Sequence, residues 1–370
     1  MDTVTQQRVK ARAGIFGHPA IDCDVHPAVP SVKTLMPYFD EYWREQFIAR
    51  GIDRLNFVMT SQPPNAPITS RPDWRLPAGA KPGSDPAILG KHVLDAFGSS
   101  YAICNTIHGS LALHSDDMAA VFARAINDWL AKEWLDRDPR LRASIVIPLE
   151  NPEFAVEEIE RRAGDKRFVS VLMLVMGEQP LGRRTHWPIY KAAEKYGLPI
   201  VVHAGSTYRH APTSIGWPSY FLEDYVNQSG AFESQLLSLV AEGVFSKFPG
   251  IKFVFAESGF CWLPAFMWRA NKTWRGVRME VPWVKQYPAE IIRAHVRFTI
   301  QPIDAPPEPG DLERIVEQIG SDDVLMFSTD YPHWQFDGTD ALPKALTGSL
   351  ARKVLWDNAL ATYSRLEVNA

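Results

Sequence analysis

The chain has 370 residues, a hydrophobic fraction of 46% and a formal net charge of −4 at pH 7. This composition is ordinary for a globular protein, and the length allows one large domain or two smaller ones. The mild acidity gives no basic footprint for nucleic acid. No apolar run approaches the roughly 20 residues that span a bilayer. We therefore expect neither nucleic acid nor a membrane as a partner.

The N-terminal residues 1–19 are largely polar and lack the apolar core of a signal peptide. We interpret them as a flexible tail, and we expect the protein to be cytoplasmic. Cys23, Cys104 and Cys261 are scattered through apolar stretches. That distribution is typical of buried free thiols in a reducing compartment rather than of a disulfide framework.

Short apolar runs alternate with longer helical patterns along the chain. Continuous apolar runs are typical of strands covered on both faces, as in parallel sheets. Eight strand and helix repeats over residues 20–365 predict an α/β fold, a distorted (β/α)8 TIM barrel. The alternative, an open doubly wound sheet, usually has a glycine-rich phosphate loop after its first strand, and none is present. The predicted strands are 20–25, 101–105, 143–148, 169–175, 199–204, 252–257, 296–301 and 324–329.

The helical patterns follow these strands, and two of them begin with good capping signals. Ser115 or Asp116 can cap the third predicted helix, and Pro152 fits the first turn of the next. The predicted helices are 31–50, 87–97, 115–134, 152–163, 187–196, 229–242, 260–275, 309–319 and 350–363.

A long proline-rich insertion, residues 52–90, follows the first strand and its helix. In a barrel it would leave from the C-terminal ends of the strands, where active sites form. Loops of this length are usually functional or disordered. We expect a lid, a substrate wall or a subunit contact, and a surface loop without a role is the alternative.

Polar side chains fall at the ends of four predicted strands. Asp24 and His26 are spaced i, i+2 and therefore project from the same face of the first strand. Strand ends converge on one mouth of a barrel, so the other polar residues would join them there. These residues are Asp24, His26, His203, Glu257 and Asp330.

Imidazole and carboxylate groups together suit Zn²⁺, Mn²⁺ or Fe²⁺ better than Ca²⁺ or Cu⁺. Three or four such ligands leave a position for water, whose pKa the ion lowers. Each of these residues has an alternative as a helix cap or a loop hydrogen-bonding group. Three roles remain open for Glu257: a metal ligand, a base that assists proton transfer, or an ion-pair partner of an arginine.

Several motifs together resemble the amidohydrolase-2 (amidohydrolase-related) family, in its aminocarboxymuconate semialdehyde decarboxylase-like branch. The resemblance covers residues 20–365 and implies a distorted TIM barrel with one metal ion, usually zinc, at the mouth. The motifs are Ile-Asp-Cys-Asp-Val-His-Pro at 21–27, Val-His-Ala-Gly at 202–205, Glu-Ser-Gly at 257–259 with Trp262, Met-Trp-Arg at 267–269, Gln-Pro at 301–302 and Ser-Thr-Asp-Tyr-Pro-His-Trp at 328–334.

The resemblance implies roles for the strand-end residues. Asp24 and His26 match the first-strand metal ligands and His203 the fifth-strand ligand. Asp330 matches the eighth-strand aspartate, which binds the metal and shuttles a proton. Glu257 departs from the pattern, because decarboxylase members usually carry a histidine there. This departure counts against aminocarboxymuconate-type decarboxylation.

A second departure concerns the triplet Glu223-Asp224-Tyr225, which many relatives with the Glu-Ser-Gly motif replace by Glu-Asp-His. If that histidine binds a second metal in those relatives, Tyr225 favours a single ion here. It also raises an alternative in which this chain is the less active partner of a related dimetal subunit.

Further candidates lie near the same strand ends. Arg209 and His210 follow the fifth strand and are candidates for binding a substrate anion. His108 follows the second strand and would face the mouth. After the eighth strand, His333 would orient Asp330 and take part in catalysis, and Trp334 would form a wall of the substrate site.

We therefore interpret the chain as a metal-dependent hydrolase or non-oxidative decarboxylase acting on a small organic substrate. One divalent ion is expected, with zinc preferred over manganese and iron. One alternative is a subunit of an amine N-hydroxylase-like oxygenase, and another is a silent barrel that stabilises a related subunit. The Pro- and Trp-rich insertions favour a homodimer or a hetero-oligomer with a related barrel.

Overall fold

Eight parallel strands form the centre of the molecule, in a computed structural model that describes residues 9–11, 13–53, 55, 70–76 and 80–369. Each strand pairs with the next one along the chain. This order, with a helix between most strand pairs, is that of a (β/α)8 barrel, so the predicted fold is confirmed. The strands are β1 Ala20–Val25, β2 Ser99–Cys104, β3 Leu141–Val146, β4 Phe168–Met176, β5 Ile200–Ser206, β6 Phe253–Ala256, β7 Val296–Thr299 and β8 Leu325–Met326.

Backbone hydrogen bonds between the first and last strands bring the sheet round on itself. Cys23 N donates to Phe327 O at 3.0 Å, and His26 N donates to the carbonyl of Tyr331 at 2.7 Å. A parallel bridge also joins Val25 to Tyr331. The residues after β8 are therefore held against β1 although regular pairing in β8 covers only two residues.

Among the described residues, eight longer helices, α1 to α8, surround this sheet, and two of them begin with the predicted signals. The Ser115 side chain accepts a hydrogen bond from Met118 N, and Pro152 opens the helix that follows β3. The longer helices are α1 Glu41–Ala49, α2 Asp116–Trp129, α3 Pro152–Arg162, α4 Trp187–Lys195, α5 Phe221–Ala241, α6 Leu263–Val277, α7 Pro288–His295 and α8 Pro309–Ile319.

Shorter helical pieces complete the connections. The segment after β1 breaks at Pro37, because proline cannot continue a helix, so the predicted helix 31–50 consists of three pieces. The short α-helices are Val32–Leu35, Pro86–Leu89, Val244–Lys247, Gly348–Arg352 and Asn358–Thr362; the 3-10 turns are Met36–Tyr38, Pro72–Trp74, Gly109–Ala112, Arg184–His186, Arg278–Glu280 and Gly338–Asp340; and π-helical turns cover Gly90–Asp95, Leu130–Leu135 and Lys353–Asp357.

Two helix predictions were incomplete. The helix predicted at 229–242 begins eight residues earlier, at Phe221. Asp224 and Gln228 in its first turns are buried polar residues, so the apolar periodicity that marks a helix is missing there. The helix α7 was not predicted, and it is short, with Pro288 in its first turn.

The described parts of the insertion 52–90 lie against the ends of β1 and β8. Arg71 N donates to the carbonyl of Pro332 at 2.9 Å, and Ala28 N donates to the carbonyl of Gly83 at 2.9 Å. At Arg71 and Gly83 the insertion therefore lies at the predicted mouth, and residues 54, 56–69 and 77–79 lie outside the described residues.

At the termini, Val9–Lys10 pairs in parallel with Val368–Asn369. Residues 1–8 and 12 of the predicted tail lie outside the described residues, so its flexibility stays a prediction. All three cysteines are free thiols, as expected. In the described part of the chain, no helix combines the length and apolar character needed to cross a membrane.

Candidate metal centre

Four predicted ligands converge at the C-terminal end of the barrel. Asp24 lies in β1, His26 follows it, His203 lies in β5 and Asp330 follows β8. All four side chains are buried. One ligand atom from each lies within 4.8 Å of the others. Spacing of two residues along β1 therefore directs Asp24 and His26 to the same point, as the sequence predicts.

The two imidazoles are oriented by backbone carbonyls. His26 Nδ1 lies 2.8 Å from the carbonyl of Asn105, and His203 Nδ1 lies 2.7 Å from the carbonyl of Ala204. Because a carbonyl only accepts, each Nδ1 donates to it and each Nε2 faces the other members of the cluster.

The carboxylates surround these Nε2 atoms. His26 Nε2 lies 2.9 Å from Asp330 Oδ1 and 3.4 Å from Asp24 Oδ1. His203 Nε2 lies 3.2 Å from Asp24 Oδ2. The distances describe a compact set of two nitrogen and two carboxylate ligands, a mixture that divalent Zn, Mn and Fe accept.

One atom of this cluster indicates that the set fits a cation. Asp330 Oδ2 is buried and has no hydrogen-bond partner among the described residues. A buried carboxylate oxygen without a partner is costly, because its desolvation is not compensated. A divalent cation held by Asp24, His26, His203 and Asp330 would compensate it.

The electrostatics of the cluster favour a positive charge. Burial lowers the pKa of His26, but Asp24 and Asp330 outweigh burial and raise it to about 10. Burial raises the pKa of Asp24, but His203 and His26 outweigh it, so that pKa lies below its ordinary value. The same negative field that stabilises an imidazolium also attracts a metal ion.

Glu257 lies beside the four ligands, immediately after β6. Its Oε2 is 3.6 Å from His203 Nε2, and its Oε1 accepts a hydrogen bond from Tyr225 Oη at 2.7 Å. It also forms a second potential ligand set with Asp330 and His333. Burial raises the pKa of Glu257, and the Asp330 carboxylate raises it further.

The backbone is strained at the two carboxylates that follow strands. Glu257 has φ of 60° and Asp330 has φ of 55°, in the left-handed region that L-residues rarely adopt. Asp330 N donates to the carbonyl of Asp24 at 3.0 Å, which holds this conformation. Strain of this kind persists only where surrounding contacts enforce it, and it is common at functional sites.

Sequence reasoning missed Asn105, which follows β2. Its Nδ2 donates to Asp24 Oδ1 at 2.8 Å, and its Oδ1 accepts from Ser144 Oγ at 2.5 Å. The backbone carbonyl of Asn105 also accepts a hydrogen bond from His26 Nδ1. Asn105 therefore orients both Asp24 and His26. Its position at the end of an apolar run was the same signal that identified His203.

Asp22 was also missed, although it stands inside the first motif. The buried Asp22 carboxylate accepts hydrogen bonds from Thr329 N, Thr329 Oγ1 and Asp24 N. Burial raises the pKa of Asp22 to about 7. A buried aspartate in a strand interior gives no sequence signal that separates it from a metal ligand.

The remaining candidates lie outside the four-ligand cluster. His108 Nδ1 accepts from Ser110 N at 3.2 Å, and its ring stacks on Phe122. Burial and the nearby Lys81 lower the pKa of His108 to about 3, so the ring is neutral. Its substrate role stays a prediction.

Arg209 and His210 contact neighbouring loops. Arg209 pairs with Glu178 and donates to the carbonyl of Leu113 at 2.6 Å. Both His210 nitrogens lie within 3.0 Å of backbone carbonyls. These contacts hold the loops in place, and the predicted binding of a substrate anion is not tested by them.

The last two candidates, His333 and Trp334, differ in their contacts. His333 Nδ1 lies 2.7 Å from Asp330 Oδ1, and its ring stacks on His26. This is the orienting contact expected of His333. Trp334 is 48% exposed. Its place in a substrate wall stays a prediction.

The fold and the four converging side chains together define a (β/α)8 barrel with a candidate divalent-cation site at its C-terminal mouth. A family model described as Amidohydrolase matches residues 21–365. The chain belongs to this amidohydrolase family, so the resemblance inferred from the motifs is confirmed.

Known relatives include several decarboxylases. Gamma-resorcylate decarboxylase from Rhizobium sp. is 26% identical over 271 residues, which cover 66% of this chain and 76% of that protein. Gamma-resorcylate decarboxylase from Rhodococcus jostii is 26% identical over 242 residues, 60% of this chain and 69% of that protein.

A solved structure is similar over nearly the whole chain. It is 5-carboxyvanillate decarboxylase from Novosphingobium aromaticivorans, complexed with manganese and 4-hydroxy-3-methoxy-5-nitrobenzoic acid. The TM-score is 0.69 at 19% identity, and the match covers 98% of this chain and 99% of that one. At this identity the likeness shows the fold alone.

Proposed function

We propose that this chain is a metal-dependent, non-oxidative decarboxylase of an aromatic hydroxy acid. The observation that carries the proposal is the convergence of Asp24, His26, His203 and Asp330 on one buried point at the barrel mouth. The decarboxylase names of the relatives support this choice of reaction over others that the same ligands permit.

The reaction breaks the bond between the ring carbon and the carboxylate. Carbon dioxide leaves, the electron pair stays on the ring carbon and a proton takes its place, so no oxidant is needed. A divalent cation held by Asp24, His26, His203 and Asp330 would supply the positive charge that favours binding of an acidic substrate. The remaining task for the chain is to deliver one proton to the ring carbon.

Glu257 is the side chain that we assign to this proton transfer. It lies beside the ligands, and burial raises its pKa above the ordinary value. The pKa of Asp330 is lowered, because His333 and His26 outweigh the effect of burial. Two carboxyl groups whose environments move their pKa values apart suit separate roles, with Asp330 as the ionised ligand and Glu257 as the acid.

Hydrolysis is the second candidate function. The presence of a glutamate at position 257 favours it. The family resemblance associates decarboxylation with a histidine at this position. Two neighbouring carboxylates, Glu257 and Asp330, could instead accept the proton of an attacking water. Ester, lactone or amide substrates would then be expected.

The deciding experiment begins with protein reconstituted with Mn²⁺ or Zn²⁺. Carbon dioxide release is measured from 2,6-dihydroxybenzoate, 5-carboxyvanillate and related hydroxybenzoates, and hydrolysis is measured on esters and lactones. Turnover in ²H₂O should leave deuterium on the ring. The variants Asp330→Asn and His203→Ala should lose activity, and Asp117→Asn, at an exposed position of α2, should keep it.

The outcomes separate the candidates. Carbon dioxide release that depends on the metal and on Asp330 supports the decarboxylase. Hydrolysis without carbon dioxide release would replace it by the second candidate. A parent protein that binds no metal would overturn both and leave a structural partner as the better account. Two tightly bound ions per chain, with oxygen consumption, would favour the oxygenase alternative.

We further propose that one ion is bound per chain, with zinc and manganese as the first choices, and that the protein is a dimer. Elemental analysis of protein purified without added metal tests the first point. Light scattering tests the second.

A further inference from the structure

A hydrogen-bond chain links three segments at the barrel mouth. Gln335, in the segment after β8, donates through Nε2 to Tyr225 Oη. Tyr225, in the second turn of α5, donates through its hydroxyl to Glu257 Oε1 at 2.7 Å. This series of hydrogen bonds therefore ends on the Glu257 carboxyl group, which is assigned above to proton transfer.

The direction of each of these two hydrogen bonds follows from which atoms can donate. The Gln335 amide nitrogen can only donate, so Tyr225 Oη accepts there. The single hydroxyl hydrogen of Tyr225 is then available for Glu257. Burial raises the pKa of Tyr225 well above its ordinary value, and the Glu257 carboxyl raises it further, so the phenol stays a donor.

This contact determines which Glu257 oxygen faces the cation site. Oε1 is occupied by Tyr225, and Oε2 is the atom that lies 3.6 Å from His203 Nε2. The backbone at Glu257 is fixed independently, because its N–H donates to Thr299 Oγ1 at 3.1 Å. Tyr225 therefore restrains the side-chain rotation that the backbone leaves free.

We infer that Tyr225, anchored by Gln335, is a positioning residue that holds Glu257 Oε2 toward the reacting atoms. The inference rests on the proposed function for the role of Glu257 in proton transfer. The position of the Glu257 carboxyl itself depends only on the contacts described.

The kinetic test compares Tyr225→Phe with the parent and with Tyr220→Phe, an exposed tyrosine that precedes the same helix. Tyr225→Phe should lower kcat about 10- to 100-fold, as is usual when a contact that orients an active-site group is removed. KM and the Mn²⁺ content should stay within twofold of the parent, a split that general destabilisation would not produce. Tyr220→Phe should match the parent in all three.

Two further variants test whether Tyr225 acts through Glu257. Gln335→Ala should lower kcat less than Tyr225→Phe, because the tyrosine keeps its contact with Glu257. The double variant Tyr225→Phe/Glu257→Gln should be no slower than Glu257→Gln alone. Additive losses would overturn the positioning role.

An infrared measurement tests the contact without turnover. The infrared difference spectrum between Mn²⁺-loaded and metal-free protein is recorded for each variant. The Glu257 carboxyl band is identified as the band that is absent from the spectrum of Glu257→Gln. The frequency of this band should shift in Tyr225→Phe and should be unchanged in Tyr220→Phe. If the parent decarboxylates but Tyr225→Phe keeps its kcat, the inference is wrong and the proposed function stands. If the parent has no activity, the proposed function fails, and an unshifted band would overturn the inference separately.

Discussion

The Asp22 carboxylate joins the first strand to the segment after the last strand through Thr329, whose hydroxyl donates to Asp22 Oδ2 at 2.6 Å and whose N–H donates to Oδ1 at 2.9 Å. Thr329 immediately precedes the candidate ligand Asp330, and Asp22 precedes the candidate ligand Asp24 by two residues. The contact therefore fixes the relative position of ligands from opposite ends of the chain. Regular pairing cannot do this, because β8 ends at Met326.

Replacement of this carboxylate should weaken the metal site. Asp22→Asn places an amide group where three donors converge, so at least one hydrogen bond is lost. We expect a loss of about 1–3 kcal/mol in the free energy of unfolding and about 10- to 100-fold in Mn²⁺ affinity. Urea unfolding and calorimetric titration with Mn²⁺ measure both. Unchanged Mn²⁺ affinity in a folded Asp22→Asn protein would contradict this role.

Replacement of Asn105 by aspartate should lower the Mn²⁺ affinity of the protein. The new carboxylate would replace the Nδ2 donor that lies 2.8 Å from Asp24 Oδ1, so repulsion between the two carboxylates would turn Asp24 away from the other three side chains of the cluster. We expect Mn²⁺ affinity to fall about 10- to 100-fold, with a smaller effect for Ser144→Ala, which removes only the donor to Asn105 Oδ1. Metal titration of the two variants decides the order, and a larger loss in Ser144→Ala would refute it.

Most of this site could be predicted from the sequence, because its ligands end apolar runs. The alternation of side chains in β1 directs Asp24 and His26 to one side, and barrel closure brings them to His203 and Asp330. Asn105 carries the same signal but is not a typical ligand, so its role depends on knowing which carboxylate it faces.

Other features depend on contacts that no local pattern contains. Asp22 and Thr329 meet only because the barrel closes, across more than 300 residues of chain. Tyr225 reaches Glu257 because α5 begins at Phe221, and the buried polar residues of that first part conceal the helical period. The role of the insertion 52–90 as a lid, a substrate wall or a subunit contact stays a prediction, and residues 56–69 lie outside the described part of the chain.

Gly83 should tolerate no side chain. It has φ of 76°, and an added Cβ would lie 2.5 Å from the carbonyl oxygen of the ligand His26. Gly83→Ala should therefore displace either this segment or the end of β1 and lower Mn²⁺ affinity. Gly17→Ala is a matched control, because Gly17 has the same φ and open space around it. Equal Mn²⁺ affinity of the two variants, measured by titration, would argue against the close contact.

His186 should make the protein less stable in mild acid. It is buried, neither ring nitrogen has a partner among the described residues, and burial lowers its pKa to about 4. The unfolded chain binds a proton near the ordinary value of about 6.5, so stability is full above that pH and is lost as the pH falls toward 4. Between about pH 7.5 and 5 the loss from this residue should be about 2 kcal/mol.

His186→Leu should remove that part of the pH dependence without a loss of stability at neutral pH, because no hydrogen bond is broken. Urea unfolding at the two pH values, with the parent, His186→Leu and the exposed His114→Gln, measures the difference. The parent and His114→Gln should lose stability equally on acidification, and His186→Leu should lose less. An equal loss in all three proteins would mean that His186 is already protonated or solvated in the folded chain.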